Sequence, residues 1–201
     1  MTGGLKPSSS VSQPVEIQKM DMPLCVDLDG TLLRSDLLLE AYFRLASASP
    51  LAALQAPFWL LHGKANLKAE VAQRVDLDVT TLPYNERLLA YLREQRAEGR
   101  YLVLATASPE KYALQVAEHL GIFDEVIATK DNINLSGENK AESLVQRFGE
   151  GNFDYAGNGR PDLAVWNRAH RAILVDPEAG VTQAIQDVIE IETLIAVSYT
   201  H

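Results

Sequence analysis

Apolar residues in this chain cluster in short runs separated by polar, amphipathic stretches. Leu24-Cys-Val26 is a three-residue apolar run that delivers Asp27 and is broken by Gly30 and Thr31, the pattern of a buried strand. Tyr101 to Ala105, Glu125 to Ala128, Phe153 to Ala156 and Ala172 to Val175 read the same way. Helical spacing fills the intervals. Asn85 to Glu98 places Leu88, Leu89 and Leu92 on one face and stops at Gly99. Ser108-Pro109-Glu110 opens a helix that runs to Leu120 and is capped by Gly121, with Ser108 a candidate N-cap. Further helices are expected over Asn139 to Phe148, Pro161 to Ala169 and Val181 to Ile189. Short apolar strands alternating with helices predict an α/β fold, a doubly wound parallel sheet covered on both faces.

One segment interrupts the alternation. Asp36 to Leu45 is helical with Asp36 as N-cap, Ser49-Pro50 opens a second helix, and Asn66 to Val75 makes a third. Asp76 to Tyr84 has no periodicity and reads as a linker. These residues predict a small helical cap inserted after the first strand. The expected division is a disordered tail at 1–20, a core at 21–34 and 85–189, a cap at 35–84, and a C-terminal tail at 190–201 that is open between sequence with no selected role and a short final strand or helix docked on the sheet.

Composition narrows the function. A hydrophobic fraction of 47% supports a sizeable core, and a net charge of −9 leaves no electrostatic footprint for nucleic acid. The single cysteine, Cys25, lies inside the first strand and is expected in the core, so no disulfide can form within the chain. The most apolar stretch, Leu51 to Leu61, contains Pro57 and falls short of the roughly 20 residues that cross a bilayer. No signal peptide is recognisable at the start, and a cytoplasmic location is expected.

Ligands of a doubly wound sheet bind beyond the carboxyl ends of its strands. Asp27, Asp29, Thr106 and Asn158 all fall at such ends, Asp162 follows four residues after Asn158, and Lys140 opens an intervening helix. Two carboxylates at i and i+2 point the same way from an extended chain, so one can attack while the other manages protons. Gly30 permits a tight turn with backbone close to a ligand. His62, His119 and His170 match no metal-ligand spacing. Trp59 and Trp166 are expected in apolar cores, Asp154 is expected to face outward, and Asp176 is read as a turn residue before Pro177.

Asp27-Leu-Asp-Gly-Thr31 resembles the first motif of the haloacid dehalogenase superfamily, most of whose members are phosphatases, and later motifs appear in the family's order. Leu102-Val-Leu-Ala-Thr106 resembles the second motif, with Ala107 and Ser108 beside it; Lys140 resembles the third, with Lys130 a weaker competitor. Gly157-Asn158 and Asp162 resemble the fourth, except that the family usually carries an acid where this chain has Asn158. The resemblance implies a Rossmannoid core and a Mg²⁺-dependent phosphohydrolase. In it Asp27 is the nucleophile that forms an aspartyl-phosphate, Asp29 is the general acid/base, and Thr106 and Lys140 stabilise phosphoryl oxygens. Gly30, Thr31, Ala107 and Ser108 would contact the phosphate. Asp27, Asp29, Asn158 and Asp162 would supply Mg²⁺ ligands, with Asn158 offering a dipole in place of a charge. The cap would shape the leaving-group pocket, with Arg34, Trp59, Lys64 and Lys68 as candidate contacts.

A narrower resemblance covers Trp59-Leu-Leu-His-Gly-Lys-Ala, Ala105-Thr-Ala-Ser108 and Phe153-Asp-Tyr-Ala-Gly-Asn158. It is to N-terminal phosphatase-like domains that precede a membrane-embedded UbiA-type prenyltransferase. It implies a small or lipid-linked phosphate ester as substrate, a prenyltransferase domain continuing the chain as a covalent partner, and a place on the cytoplasmic side of a membrane. Val197-Ser-Tyr-Thr-His201 resembles translated sequencing adapter, so the native product is expected to continue further. Two other readings remain open on the sequence: a degenerate phosphate-binding or regulatory domain, favoured by Asn158, and a phosphotransferase.

Overall fold

The computed structural model describes residues 22–130 and 134–196. The expectations for the tail at 1–20 and for Val197–His201 lie outside them. Six parallel strands form one sheet in the order β3-β2-β1-β4-β5-β6. They span Leu24–Val26 (β1), Leu102–Pro109 (β2), Glu125–Thr129 (β3), Asp154–Gly157 (β4), Arg171–Val175 (β5) and Glu190–Ile195 (β6). β1 is central, with Val26 in register with Leu104 of β2 and Ala156 of β4.

Alternation along the strands sorts the core into two layers. Leu24 and Val26 face one side with Leu102, Leu104 and Ile173; Cys25 faces the other with Val103, Tyr155 and Leu174. The first layer is covered by α5 (Glu86–Ala97), through Leu88, Leu89 and Leu92, and by α6 (Glu110–Leu120), through Tyr112 and Val116. The second is covered by α7 (Glu138–Phe148), α8 (Leu163–Trp166) and α9 (Val181–Ile185). Helices on both faces of a parallel sheet make the doubly wound arrangement expected.

The cap contains α1 (Leu37–Ala48), α2 (Pro50–Ala53), α3 (Ala56–Leu61) and α4 (Lys64–Arg74). Asp36 caps α1, its Oδ1 accepting from the N–H of Leu38 at 2.7 Å. The two connections to the core lie side by side: the Arg34 N–H donates to Pro83 O and the Asn85 N–H to Leu32 O, both at 2.9 Å. The expected linker holds one 3-10 turn at Val79–Thr81. Trp59 lies inside the cap, with the Arg74 guanidinium 4.7 Å from its ring centre.

Three local expectations change. The helix foreseen over 161–169 is a 3-10 turn at Arg160–Asp162 followed by the short α8, and α9 ends at Ile185. Ser108 caps no helix: β2 runs on to Pro109, and the Ser108 hydroxyl turns to Asp29. Asp154 does not face outward but is buried against the Arg100 guanidinium. Of the two readings left open for the C-terminal tail, residues 190–195 take the docked one, forming the edge strand β6 with Ile195 in register with Val175.

Candidate active site

The carboxyl end of β1 is the centre of the site. Asp27 is 7% exposed, at the floor of a cleft of about 710 Å³. On the core side the cleft is bounded by Asp27, Asp29, Lys140 and Asn158, on the cap side by Arg34, Lys64 and Lys68. Three of the four candidate cap contacts therefore reach the cleft; Trp59 does not line it.

Lys140, in the first turn of α7, reaches across β4 to Asp27. Its Nζ donates to Asp27 Oδ1 at 2.6 Å and to the Tyr155 hydroxyl at 2.9 Å. Tyr155 in turn donates to Asp162 Oδ1 at 2.7 Å. The other Asp162 oxygen accepts from the N–H groups of Asn158 and Gly159, both at 3.0 Å. Both oxygens of Asp162 are thus engaged in folding the β4 loop and fixing Tyr155. Lys130 instead pairs with Glu110 at the surface.

Asp29 is held differently. Its Oδ2 accepts from the Ser108 hydroxyl at 2.6 Å and its Oδ1 from the N–H of Leu37, the first residue of α1, at 2.8 Å. Thr106 is fully buried; its hydroxyl accepts from the Ser108 N–H at 2.9 Å where the register of β2 shifts, and it does not line the cleft. Ala107 does line the cleft, and its carbonyl accepts from Lys68 Nζ at 2.8 Å. Gly30, at φ +79°, lets the loop pass so close to Asn158 that a Cβ would stand 2.8 Å from its side-chain nitrogen.

Electrostatics follow from burial. Burial pushes the Asp27 carboxyl up to about 7, opposed chiefly by Lys140 and reinforced by Asp162 and Asp29. Burial also raises Asp29, against the pull of its bonds from Leu37 and Ser108. For Lys140 burial disfavours the charge, yet Asp27 and Asp162 outweigh it and hold the ammonium above its ordinary range. The Lys140 cation is the firmer feature of the pair, because carboxylates surround it on more than one side. Cys25 is buried and its thiol is pushed up, so it belongs to the core. His62, His119 and His170 bond or stack elsewhere, against Phe58 O, Tyr84 and Asp154.

Among the described residues no group of three or more His, Cys, Asp or Glu could hold a metal ion. A smaller set of hard oxygens does converge. The Thr31 hydroxyl stands 3.4 Å from Asp27 Oδ2 and 3.3 Å from Asn158 Oδ1, which brings the two acceptors together around one atom. Two such oxygens are hard ligands of the kind that suit a cation such as Mg²⁺, which keeps most of its shell as water or substrate phosphate.

Tyr155 was not singled out from sequence. Its signal is a hydroxyl-bearing side chain on the inward face of a buried strand, two residues before the Gly157-Asn158 motif.

Comparison with known proteins agrees with this geometry. The haloacid dehalogenase-like hydrolase profile matches residues 24–164, which contain every residue named at the site. An uncharacterized protein of Sinorhizobium fredii, y4nM, is 35% identical over 175 residues. The match takes in 86% of this chain and 34% of that protein, so the chain spans about a third of its relative's length. Among solved structures, a Bordetella pertussis protein of unknown function superposes with a TM-score of 0.65 at 16% identity, over 86% of this chain and 97% of that one. A phosphoserine phosphatase in apo form gives 0.59 at 14%, over 88% and 94%, and a predicted phosphoglycolate phosphatase of Haemophilus somnus 0.58 at 15%, over 85% and 94%. At these identities the structures speak for the fold, while the profile match across most of the chain speaks for descent: the chain belongs to the haloacid dehalogenase-like hydrolases.

Proposed function

We propose that the chain is a phosphohydrolase that works through an aspartyl-phosphate on a small or lipid-linked phosphate ester. The observation that carries this reading is the unlike fixing of two carboxylates at one strand end. Asp27 gives Oδ1 to the Lys140 ammonium and has Oδ2 3.4 Å from the Thr31 hydroxyl, whereas Asp29 is held by Ser108 and Leu37; burial raises both carboxyls, and Lys140 chiefly opposes the rise at Asp27. Asp27 Oδ2 attacks phosphorus, the bond from phosphorus to the ester oxygen breaks, and that oxygen takes a proton from Asp29. Asp29, now a carboxylate, takes a proton from water. The water oxygen bonds to phosphorus, the bond to Asp27 breaks and phosphate leaves. Lys140 neutralises the Asp27 carboxylate before it attacks and again once phosphate has left, and Arg34, Lys64 and Lys68 place cations along the cleft for an anionic substrate. Mg²⁺, held by Asp27, the Asp29 carbonyl and Asn158, would supply further neutralisation of the phosphoryl oxygens. Asp162 acts as a positioning residue.

The narrower resemblance extends the proposal to a domain on the cytoplasmic side of a membrane, continued by a prenyltransferase domain. The partial coverage of the Sinorhizobium relative supports a longer native protein. The competing reading is a phosphate-binding or regulatory domain without turnover, and Asn158 in place of an acid favours it. Incubation with a panel of aryl, sugar, nucleotide and prenyl phosphates, with and without Mg²⁺, separates the two. Turnover with labelled phosphate trapped on the protein, lost in Asp27→Asn, supports the enzyme. Saturable phosphate binding with no turnover of any ester overturns it.

A further inference from the structure

The apolar stretch Leu51 to Leu61 is not absorbed by the catalytic site. Its two short helices join through Leu54 and Gln55, which keep right-handed helical dihedrals, so residues 50–61 run almost as one helix. Leu51, Leu54, Phe58 and Leu61 recur at helical spacing along it and are 80%, 71%, 66% and 81% exposed. Ala53 and Trp59 on the opposite side are buried in the cap. A helix packed by one apolar face normally offers polar side chains on the other; here the solvent face is apolar as well. Leu39 and Phe43 of α1 add exposed apolar surface on the same cap.

We propose that this cap face docks on the surface of an anionic lipid bilayer, with residues 50–61 lying in the plane of the interface. Charge selects the occupant. Residues 41–69 carry no Asp or Glu in a chain of net charge −9, and of their cations Arg44 and Lys64 are exposed while Lys68 turns to the Ala107 carbonyl in the cleft. The face is therefore drawn to anionic lipid while the remainder of the molecule is repelled, which fixes the orientation. A second copy packed two-fold on the same face would set Arg44 and Lys64 against like charges. Gln55 is the one exposed polar side chain within residues 50–61, and a shallow apolar stripe with cationic flanks is the pattern of helices that lie in bilayer interfaces. An apolar groove of about 560 Å³ beside the stripe, bounded by Leu39, Tyr42 and Pro57 among others, shares Leu38, Leu60 and Leu67 with the catalytic cleft. Docking would thus bring the cleft mouth to the lipid surface.

Flotation of the full chain with vesicles of phosphatidylcholine alone, or phosphatidylcholine with phosphatidylglycerol, tests this. Binding at least roughly tenfold stronger to the anionic vesicles, weakened by salt, is expected. The variant L51S/L54S/F58S/L61S should lose that binding with an unchanged melting temperature, a control independent of any phosphatase activity. Absence of vesicle binding by the native chain overturns the proposal, as does full binding by the variant. Sedimentation as a dimer that the variant makes monomeric, without vesicle binding, assigns the stripe to self-association and also overturns it.

Discussion

Two buried ion pairs sit at opposite ends of the same strands. At the amino ends, Arg100 donates to Met22 O, Gln95 Oε1 and Asp154, and His170 approaches the other Asp154 oxygen. At the carboxyl ends, Lys140 joins Asp27, Tyr155 and, at 3.9 Å, Asp162. Both cations are almost completely buried. The difference lies in what remains available. The planar guanidinium spreads its donors over several fixed acceptors, and the pair ends inside the protein. Among the described residues, the ammonium leaves Asp27 Oδ2 with only a long contact from Thr31, and Asp27 lines an open cleft. Burial of charge alone thus does not mark a functional site; burial with an oxygen left toward a cavity does.

The largest effect should come from Asp27→Asn. Turnover of an aryl phosphate is expected to fall by about four orders of magnitude with the circular dichroism spectrum unchanged, since Lys140 keeps Tyr155 and Asp162 as neighbours. Retained activity would erase the distinction between the two pairs. At the other end of the strands the effects should be on stability. Deleting residues 190–201 removes β6, the buried Ile195 and the Tyr91 to Glu192 hydrogen bond. At about 1.5–3 kcal/mol for a buried side chain, the loss of Ile195 should lower the melting point by roughly 3–12 °C. Arg100→Ala strands the Asp154 carboxylate, which costs about 3–5 kcal/mol, or roughly 6–20 °C, with kcat at room temperature unchanged. A fall in kcat there, measured well below the melt, would show that the two ends communicate.

Smaller effects sharpen the comparison. Asn158→Asp adds a carboxylate beside Asp27 and should tighten Mg²⁺ by about tenfold in calorimetric titration. Equal affinity of the two forms would remove Asn158 from the ligand set. The smallest effect is on pH. The Asp27 carboxyl is raised to about 7 in the folded chain, so its contribution to stability is present below the ordinary carboxylate range and is lost as pH rises through about 7. Without divalent cation the melting temperature should therefore be higher at pH 5.5 than at pH 8. Asp27→Asn should shallow that slope without abolishing it, because burial also raises Asp29 and Asp154. An unchanged slope would separate Asp27 from the titration.

Local patterns carried much of the fold into the sequence. Asp36, Asn85 and Gly121 occupy helix ends as their residue types predict, and Leu24-Cys-Val26 is a strand because only a buried parallel strand is apolar on both faces. What sequence did not reveal depends on partners far along the chain. Ser108 has the local look of a helix cap, yet it bonds Asp29, 79 residues away. Asp154 resembles a solvated acid until Arg100 is brought to it by strand pairing. β6 carries Glu190 and Glu192 among its apolar residues, as edge strands often do, and this weakens its alternation. At the site, the Asp27 motif was legible because a buried strand delivers two carboxylates at i and i+2, and Lys140 through its resemblance to the family's third motif. The role of Tyr155 was not, since a tyrosine in a core strand needs no special reason.

The hydrogen bond from the Leu37 N–H to Asp29 has a mechanical consequence. Both Asp29 oxygens are occupied, one by the first turn of the cap and one by Ser108. Asp29 cannot swing toward a leaving group without releasing one of these partners. If Leu37 is released, α1 loses its tether to the β1 loop; if α1 moves first, Asp29 loses a restraint. Rearrangement of the lid and delivery of the proton thereby share a single latch, and an ester that fails to shift α1 would leave the acid parked.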